Sequence, residues 1–282
     1  MPRIKVGGIQ LYYEIHGEGA PLVLIPGFRT GLWLWFKQVE TLAQKFRIVI
    51  FDPRGIGQSD QTDGPLTIKA LAADVAGLLS ELDIAEAHIL GASFGGFVAQ
   101  EFAIAYPSMT RSLILCCTSF GGVRHLLPSV STMQALAAIE GLNTEERTRQ
   151  NLLAAFSPKF IREHPAEVER VIKLRLNNPV TDQAHFAQLQ AAAGFDAEAR
   201  VSQIKAPTLI LTGDEDTIVP PGNSRNLAAH IETARLAFME GGSHMFFIEQ
   251  PEKFNRIVID FINQVQSPRS EVQSQEEQSS AS

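Results

Sequence analysis

Short runs of β-forming residues constrain this chain more than any other feature. They are Gln10 to His16, Leu22 to Ile25, Arg47 to Phe51, Ala87 to Leu90, Leu113 to Cys117, Thr208 to Thr212 and Arg235 to Met239. Most are continuously apolar rather than alternating, the pattern of strands covered on both faces. Helical periods lie between several of them. Thr67 to Leu82 lines up Ile68, Leu71, Val75, Leu78, Leu79 and Leu82, and Pro251 to Val265 lines up Phe254, Ile257, Val258, Phe261 and Ile262. Strand and helix in alternation make an α/β fold, a mostly parallel sheet with helices on both faces. The first run departs from this. Followed by Gly17-Glu18-Gly19-Ala20-Pro21, it reads as a hairpin feeding an antiparallel edge.

The alternation stops between about Gly121 and Gly194, where there are only helix-like segments with starts at Ser131, Asn143 (Glu146 three residues on), Pro165 and Thr181. Because more strands follow, this stretch is expected to be a cap inserted at the sheet's edge. The expected organisation is a core of residues 1–120 and 196–266, a helical cap of 121–195, and a tail of 267–282. The tail is rich in Ser, Gln and Glu and too poor in apolar residues to offset its ordering entropy, so it is expected to be disordered.

At 282 residues the chain can bury a core without disulfides or metals. Its two cysteines, Cys116 and Cys117, are neighbours in an apolar run and read as small buried thiols. The net charge of −7 supplies no basic field for a phosphate backbone, so nucleic acid is not an expected partner. No apolar run approaches the roughly 18 residues of a membrane helix. Met1-Pro2-Arg3-Ile4-Lys5 leads into no signal-like apolar stretch, which gives a cytoplasmic location as the expectation.

The chemistry centres on Gly91-Ala92-Ser93-Phe94-Gly95-Gly96, which follows the strand Ala87 to Leu90 and opens the helical stretch from Phe97 to Ala103. This is G-x-S-x-G in the strand-to-helix setting of a nucleophile elbow. A serine on so sharp a turn takes a strained backbone, and glycines two residues either side let strand and helix pass closely. A dinucleotide loop is the rival, but Ser93 stands where its second glycine is required.

A serine hydroxyl needs a histidine to take its proton. Of the seven histidines, His244 stands apart, after the last strand in Glu240-Gly241-Gly242-Ser243-His244 and before the final helix. His16, His125, His164, His185 and His230 read as polar surface or satisfied structure on the N-terminal strand or on helices and their ends. His88, in the elbow strand, reads as packed and hydrogen-bonded. The acid belongs on a loop between serine and histidine, and Asp214, Glu215 and Asp216 after strand Thr208 to Thr212 all qualify by spacing.

With these residues in order, the chain resembles the α/β-hydrolase fold family over about residues 3 to 265. That resemblance implies an eight-stranded sheet, and Gly213-x-x-Asp216-x-x-x-Pro220 is similar to the family's acid loop, which selects Asp216. Asp52-Pro53-Arg54-Gly55-Ile56-Gly57-Gln58-Ser59 resembles a turn that is structural there, so Arg54 receives no catalytic role. The oxyanion hole needs two backbone N–H groups. One is expected from Phe94, the other from Phe28, where Pro26-Gly27-Phe28 replaces the family's usual His-Gly.

A serine nucleophile sets the chain apart from the branches that use Asp at the elbow. The stretch from Pro26 through Trp33, with Leu113 to Ser119, looks like the enol-lactonase and small carboxylesterase branch. This implies cleavage of a small ester or lactone through an acyl-enzyme, with Ser93, His244 and Asp216 catalytic. Arg29 is a candidate for a substrate carboxylate, and Phe156, Phe160, Phe186 and Phe195 are candidates for an acyl wall or the cap's own core. No metal or organic cofactor is implied. Similar enzymes hydrolyse C–C bonds or catalyse perhydrolysis, and some members of the fold are triad-bearing signalling receptors.

Overall fold

A computed structural model describes residues 2–61, 64–137 and 141–267. The tail expectation falls, from residue 268 onward, outside the described residues. The strands are β1 (Arg3–Val6), β2 (Ile9–His16), β3 (Pro21–Ile25), β4 (Arg47–Phe51), β5 (Ala87–Ala92), β6 (Thr110–Cys116), β7 (Thr208–Gly213) and β8 (Ala234–Met239). They form one sheet in the order β1-β2-β4-β3-β5-β6-β7-β8, antiparallel at β1–β2 and β2–β4 and parallel elsewhere. The antiparallel edge is as expected, but its hairpin is not at Gly17 to Pro21. It turns at Gly7-Gly8, both at positive φ, and pairs β2 with β1, a strand too short and polar to register as an apolar run.

The helices are α1 (Val39–Leu42), α2 (Ile68–Glu81), α3 (Phe94–Ala105), α4 (Val130–Ala137), α5 (Thr144–Leu153), α6 (Pro158–Glu163), α7 (Pro165–Asn177), α8 (Asp182–Ala193), α9 (Gly222–His230), α10 (Phe246–Glu249) and α11 (Pro251–Gln266). Thr67 caps α2 by accepting from the Ala70 N–H, a contribution of about 1 kcal/mol. Asn143 and Glu146 form a reciprocal capping box on α5.

Period-two alternation sends successive strand residues to two apolar cores. Val23, Ile25, Leu113 and Leu115 face one, with α2 and α3. Leu22, Leu24, Ile114 and Cys116 face the other, with α11 and the inserted helices α5 to α7. This double coverage explains the continuous apolar runs. The helices α4 to α8 all lie between β6 and β7, and a Gly121–Asp196 bridge joins the ends of the insertion.

Candidate active site

The elbow is built by backbone crowding. Ser93 takes φ 54° and ψ −117°, outside the ordinary regions for a side-chain-bearing residue, a strain of about 1–3 kcal/mol. A Cβ on Gly91 would collide with the Gly95 carbonyl oxygen, and one on Gly95 with the carbonyl oxygens of Ile25 and Pro26. Only glycines therefore let α3 start against β3 and β5. The Ser93 N–H donates to the Cys116 carbonyl (2.8 Å), and the Thr118 hydroxyl donates to the Ser93 carbonyl (2.8 Å).

The acid loop selects one of the three carboxylates. Asp216 Oδ2 lies 2.8 Å from Nδ1 of His244, and its Oδ1 accepts the N–H groups of Ile218 and Val219, both at 2.9 Å. Its side chain is wholly buried and that of His244 is 11% exposed. Asp214 instead accepts the Gly241 N–H from an exposed position, and Glu215 is exposed. Such a bond to Nδ1 fixes the tautomer and leaves Nε2 as the imidazole's free base.

Between elbow and acid stands a residue that sequence reading treats only as a buried thiol. Cys117 has φ 42°, and its sulfur, the Asp216 carboxylate and the His244 ring offer ligand atoms within 4.8 Å of one another. Burial and the Asp216 charge push its thiol well above the usual range, which favours the thiol over the thiolate. Its position directly after β6, among the triad candidates, is the one signal that could have marked it.

The candidate oxyanion loop folds over the elbow. An ideal Cβ on Gly27 would lie 3.6 Å from Ser93 Cβ, and the Phe28 ring packs edge-on against Phe94 (6.0 Å). Among the described residues, no acceptor engages the N–H of Phe28 or Phe94. Arg29 sits beside Phe28 at φ 58°, its Nε buried without a partner. Burial lowers its pKa, partly countered by Asp182. Arg175, which pairs with no carboxylate among the described residues, is pushed down to about 10 by burial and by Arg29.

The other candidates separate. Arg54 forms a bidentate pair with buried Asp74, and Asp52 accepts the Leu32 and Gln58 N–H groups, so this turn is structural. His88 is fully buried between Ser112 Oγ (2.7 Å) and Gln266 Nε2 (3.1 Å). His125 lies on a loop rather than a helix and bonds Ser119 Oγ. His185 departs most from its expected surface role: its ring packs on Phe28 at 5.5 Å and its Nδ1 is buried without a partner. Phe156 and Phe160 stack on each other within the core that the inserted helices share with one face of the sheet, and Phe195 stacks on Phe97, whereas Phe186 is exposed. A cavity of about 770 Å³ on the flank of β2, lined by Glu14, His16, Trp33 and Phe36 among others, includes neither Ser93 nor His244.

A family model described as alpha/beta hydrolase fold matches residues 20–251. The chain belongs to the α/β hydrolase fold family. It is 29% identical over 265 residues to a protein provisionally named carbamate hydrolase RutD from Azorhizobium caulinodans, covering 94% of this chain and 99% of that one. It is 30% identical to a 2-hydroxy-6-oxononadienedioate/2-hydroxy-6-oxononatrienedioate hydrolase of Paraburkholderia xenovorans, covering 92% and 93%. Among solved structures, the enol-lactonase from Burkholderia xenovorans superposes with a TM-score of 0.80 at 29% identity, covering 93% and 100%. The family and its enol-lactonase and esterase resemblance are thus as expected from the sequence. Among the described residues, no helix is long and apolar enough to cross a membrane.

Proposed function

We propose that this hydrolase cleaves a small carboxylic ester or lactone through an acyl-enzyme. Ser93 attacks the carbonyl carbon and His244 Nε2 takes its proton. His244 then returns that proton to the leaving oxygen, and a water repeats the sequence to release the acid. Asp216 holds the imidazole tautomer and stabilises the imidazolium. The N–H groups of Phe28 and Phe94 receive the developing oxyanion, each worth roughly 3 kcal/mol in such a site. The observation that carries this reading is the 2.8 Å bond from the buried Asp216 carboxylate to His244 Nδ1. The strained Ser93 elbow supports it.

The decisive experiment is steady-state turnover of purified protein on 4-nitrophenyl acetate and butyrate, small lactones, carbamates and vinylogous diketones. Ester or lactone turnover that disappears in Ser93→Ala and in His244→Ala is expected. Release of a single equivalent, without cycling, would favour a receptor. Preference for the diketones would move the reaction to C–C hydrolysis.

Arg29 supports an acidic substituent on the substrate, because its guanidinium is partly desolvated and no carboxylate forms an ion pair with it among the described residues. Arg29→Met should then lower kcat/KM on an acidic ester by about 1.5–3 kcal/mol, the range of a charge-assisted hydrogen bond. Equal losses on a neutral ester would remove that role.

A further inference from the structure

The loop that carries Phe28 is a four-residue turn, Gly27 to Thr30, closed by Thr30 N–H to the Gly27 carbonyl at 3.3 Å and by the Thr30 hydroxyl to the same oxygen at 2.9 Å. Phe28 is not at positive φ and Arg29 is, the pattern of a type II turn, whose third position ordinarily belongs to glycine. The Gly27 carbonyl and the Phe28 N–H share one peptide plane and point in opposite directions. While the turn holds the carbonyl on Thr30, the N–H points away from Thr30. Keeping a side-chain-bearing residue in the left-handed conformation needs support from its surroundings.

That support comes from the cap. The Arg29 N–H donates to Gln188 Oε1 on α8 at 2.7 Å, and the Arg29 carbonyl accepts from Arg175 Nη1 on α7 at 2.6 Å. Both peptide planes flanking Arg29 are therefore held from outside the core, by residues 159 and 146 positions away. Gln188 is 1% exposed, and among the described residues its buried Nε2 has no acceptor. An orphaned amide donor is a poor way to fill a buried site, since a methionine of similar length would pack there without that unmet group. The amide's visible use is its oxygen.

We propose that Gln188 and Arg175 are positioning residues for the oxyanion hole. By clamping Arg29 from the cap they keep the Gly27–Thr30 turn in the form that aims the Phe28 N–H at the reacting carbonyl oxygen. The hole is then complete only while the cap is seated. This rests on the acyl-transfer reading above, in which Phe28 is an oxyanion donor.

The test compares Gln188→Met, which removes the acceptor, with Gln188→Glu, which keeps it, and with Arg175→Met and the Gln188→Met/Arg175→Met double variant. The measurements are kcat and KM on 4-nitrophenyl butyrate, inhibition by phenylboronic acid as a tetrahedral mimic, and the thermal midpoint. Gln188→Met should lower kcat by about 10- to 100-fold, less than or comparable to outright loss of a donor, with KM changed less than about 3-fold. Phenylboronic acid should weaken by a similar factor, and Gln188→Glu should stay within about 5-fold of the parent in kcat. The double variant should fall short of the product of the singles, since both act through one residue. A folded Gln188→Met with parental kcat overturns the clamp, as does Gln188→Glu failing as badly as Gln188→Met, or a loss confined to KM. Should Gln188→Met melt below the assay temperature, Arg175→Met carries the same comparison. Turnover that survives Ser93→Ala would sink the acyl-transfer reading itself. Turnover that requires Ser93 but ignores both cap variants sinks only the clamp.

Discussion

Around Ser93 and Gly213 the chain is positioned by backbone packed on backbone, whereas around Arg29 and Ser243 it is held by side chains reaching across from other elements. A Cβ on Gly213 would strike the Gly242 carbonyl oxygen, just as one on Gly95 would strike that of Ile25. The acid loop, like the elbow, thus has no slack where Gly213 starts it. On the other side, Gln188 and Arg175 hold Arg29, and Glu249 accepts the N–H groups of Ser157 in the cap and Ser243 beside His244. Backbone crowding leaves one conformation, while a side-chain hydrogen bond holds one at a modest net gain and breaks singly. The core side is therefore expected to fail all at once and the cap side by degrees.

The largest expected effect tests the core side. Asp216→Asn should lower kcat by about 10³- to 10⁴-fold, because an amide in that place stabilises the wrong imidazole tautomer. Asp214→Asn, which loses only an exposed contact to the Gly241 N–H, should stay within a few-fold of the parent. If the two variants were equally impaired, the acid would not be the residue bonded to His244.

Next comes Gly95→Ala, where the added methyl meets backbone that cannot rotate away. Loss of about 3 kcal/mol in denaturant-induced unfolding is expected. A parental midpoint together with full activity would mean that α3 has room to shift at its start.

His88 gives the core side a pH limit. Burial, with Arg111 nearby, pushes its pKa down to about 4, so the folded protein holds it neutral. A depressed histidine adds stability that is fully present above its unfolded value of about 6.5 and is lost as pH falls through the folded value. The difference amounts to about 3 kcal/mol between pH 6.5 and 4. His88→Asn should flatten this part of the stability profile, and an unchanged slope would assign the acid loss to other groups.

The same contrast governs what could be read from the amino-acid sequence. Gly91, Ser93, Gly95, Gly213 and His244 are legible because backbone crowding demands glycine at fixed spacings and the chemistry demands a particular side chain. The choice of Asp216 over Asp214 and Glu215 needed the family's pattern, since all three lie on one loop. β1 was invisible as a short polar strand whose pairing comes from the hairpin turn at Gly7-Gly8. Gln188, Arg175 and His185 give no signal, because each acts on a backbone group or ring far away in the chain, as Glu249 does at Ser157. Only the packing of the inserted helices against the rest of the chain brings them there. Arg29 stands out in the sequence for its charge, and the structure adds a second property, a left-handed backbone held by Gln188 and Arg175.

The smallest effect belongs to Glu249. Its carboxylate accepts from both Ser157 and Ser243, so Glu249→Gln turns one acceptor into a donor facing an N–H and should cost about 1 kcal/mol. The pH dependence of that cost has a definite sign. Burial raises the Glu249 pKa, and the two N–H bonds offset this only in part. A carboxyl whose folded value is raised contributes stability that is present below its unfolded value, about 4.3, and is lost as pH rises through the folded value. Relative to Glu249→Gln, the parent's thermal midpoint should therefore be highest in acid and fall as pH rises across that window. Because Ser243 precedes His244, kcat should fall a few-fold while KM stays near the parental value. A gap that widens with rising pH would mean that the two N–H bonds outweigh burial. The histidine loop would then be held by charge rather than by the shape of the α10 junction.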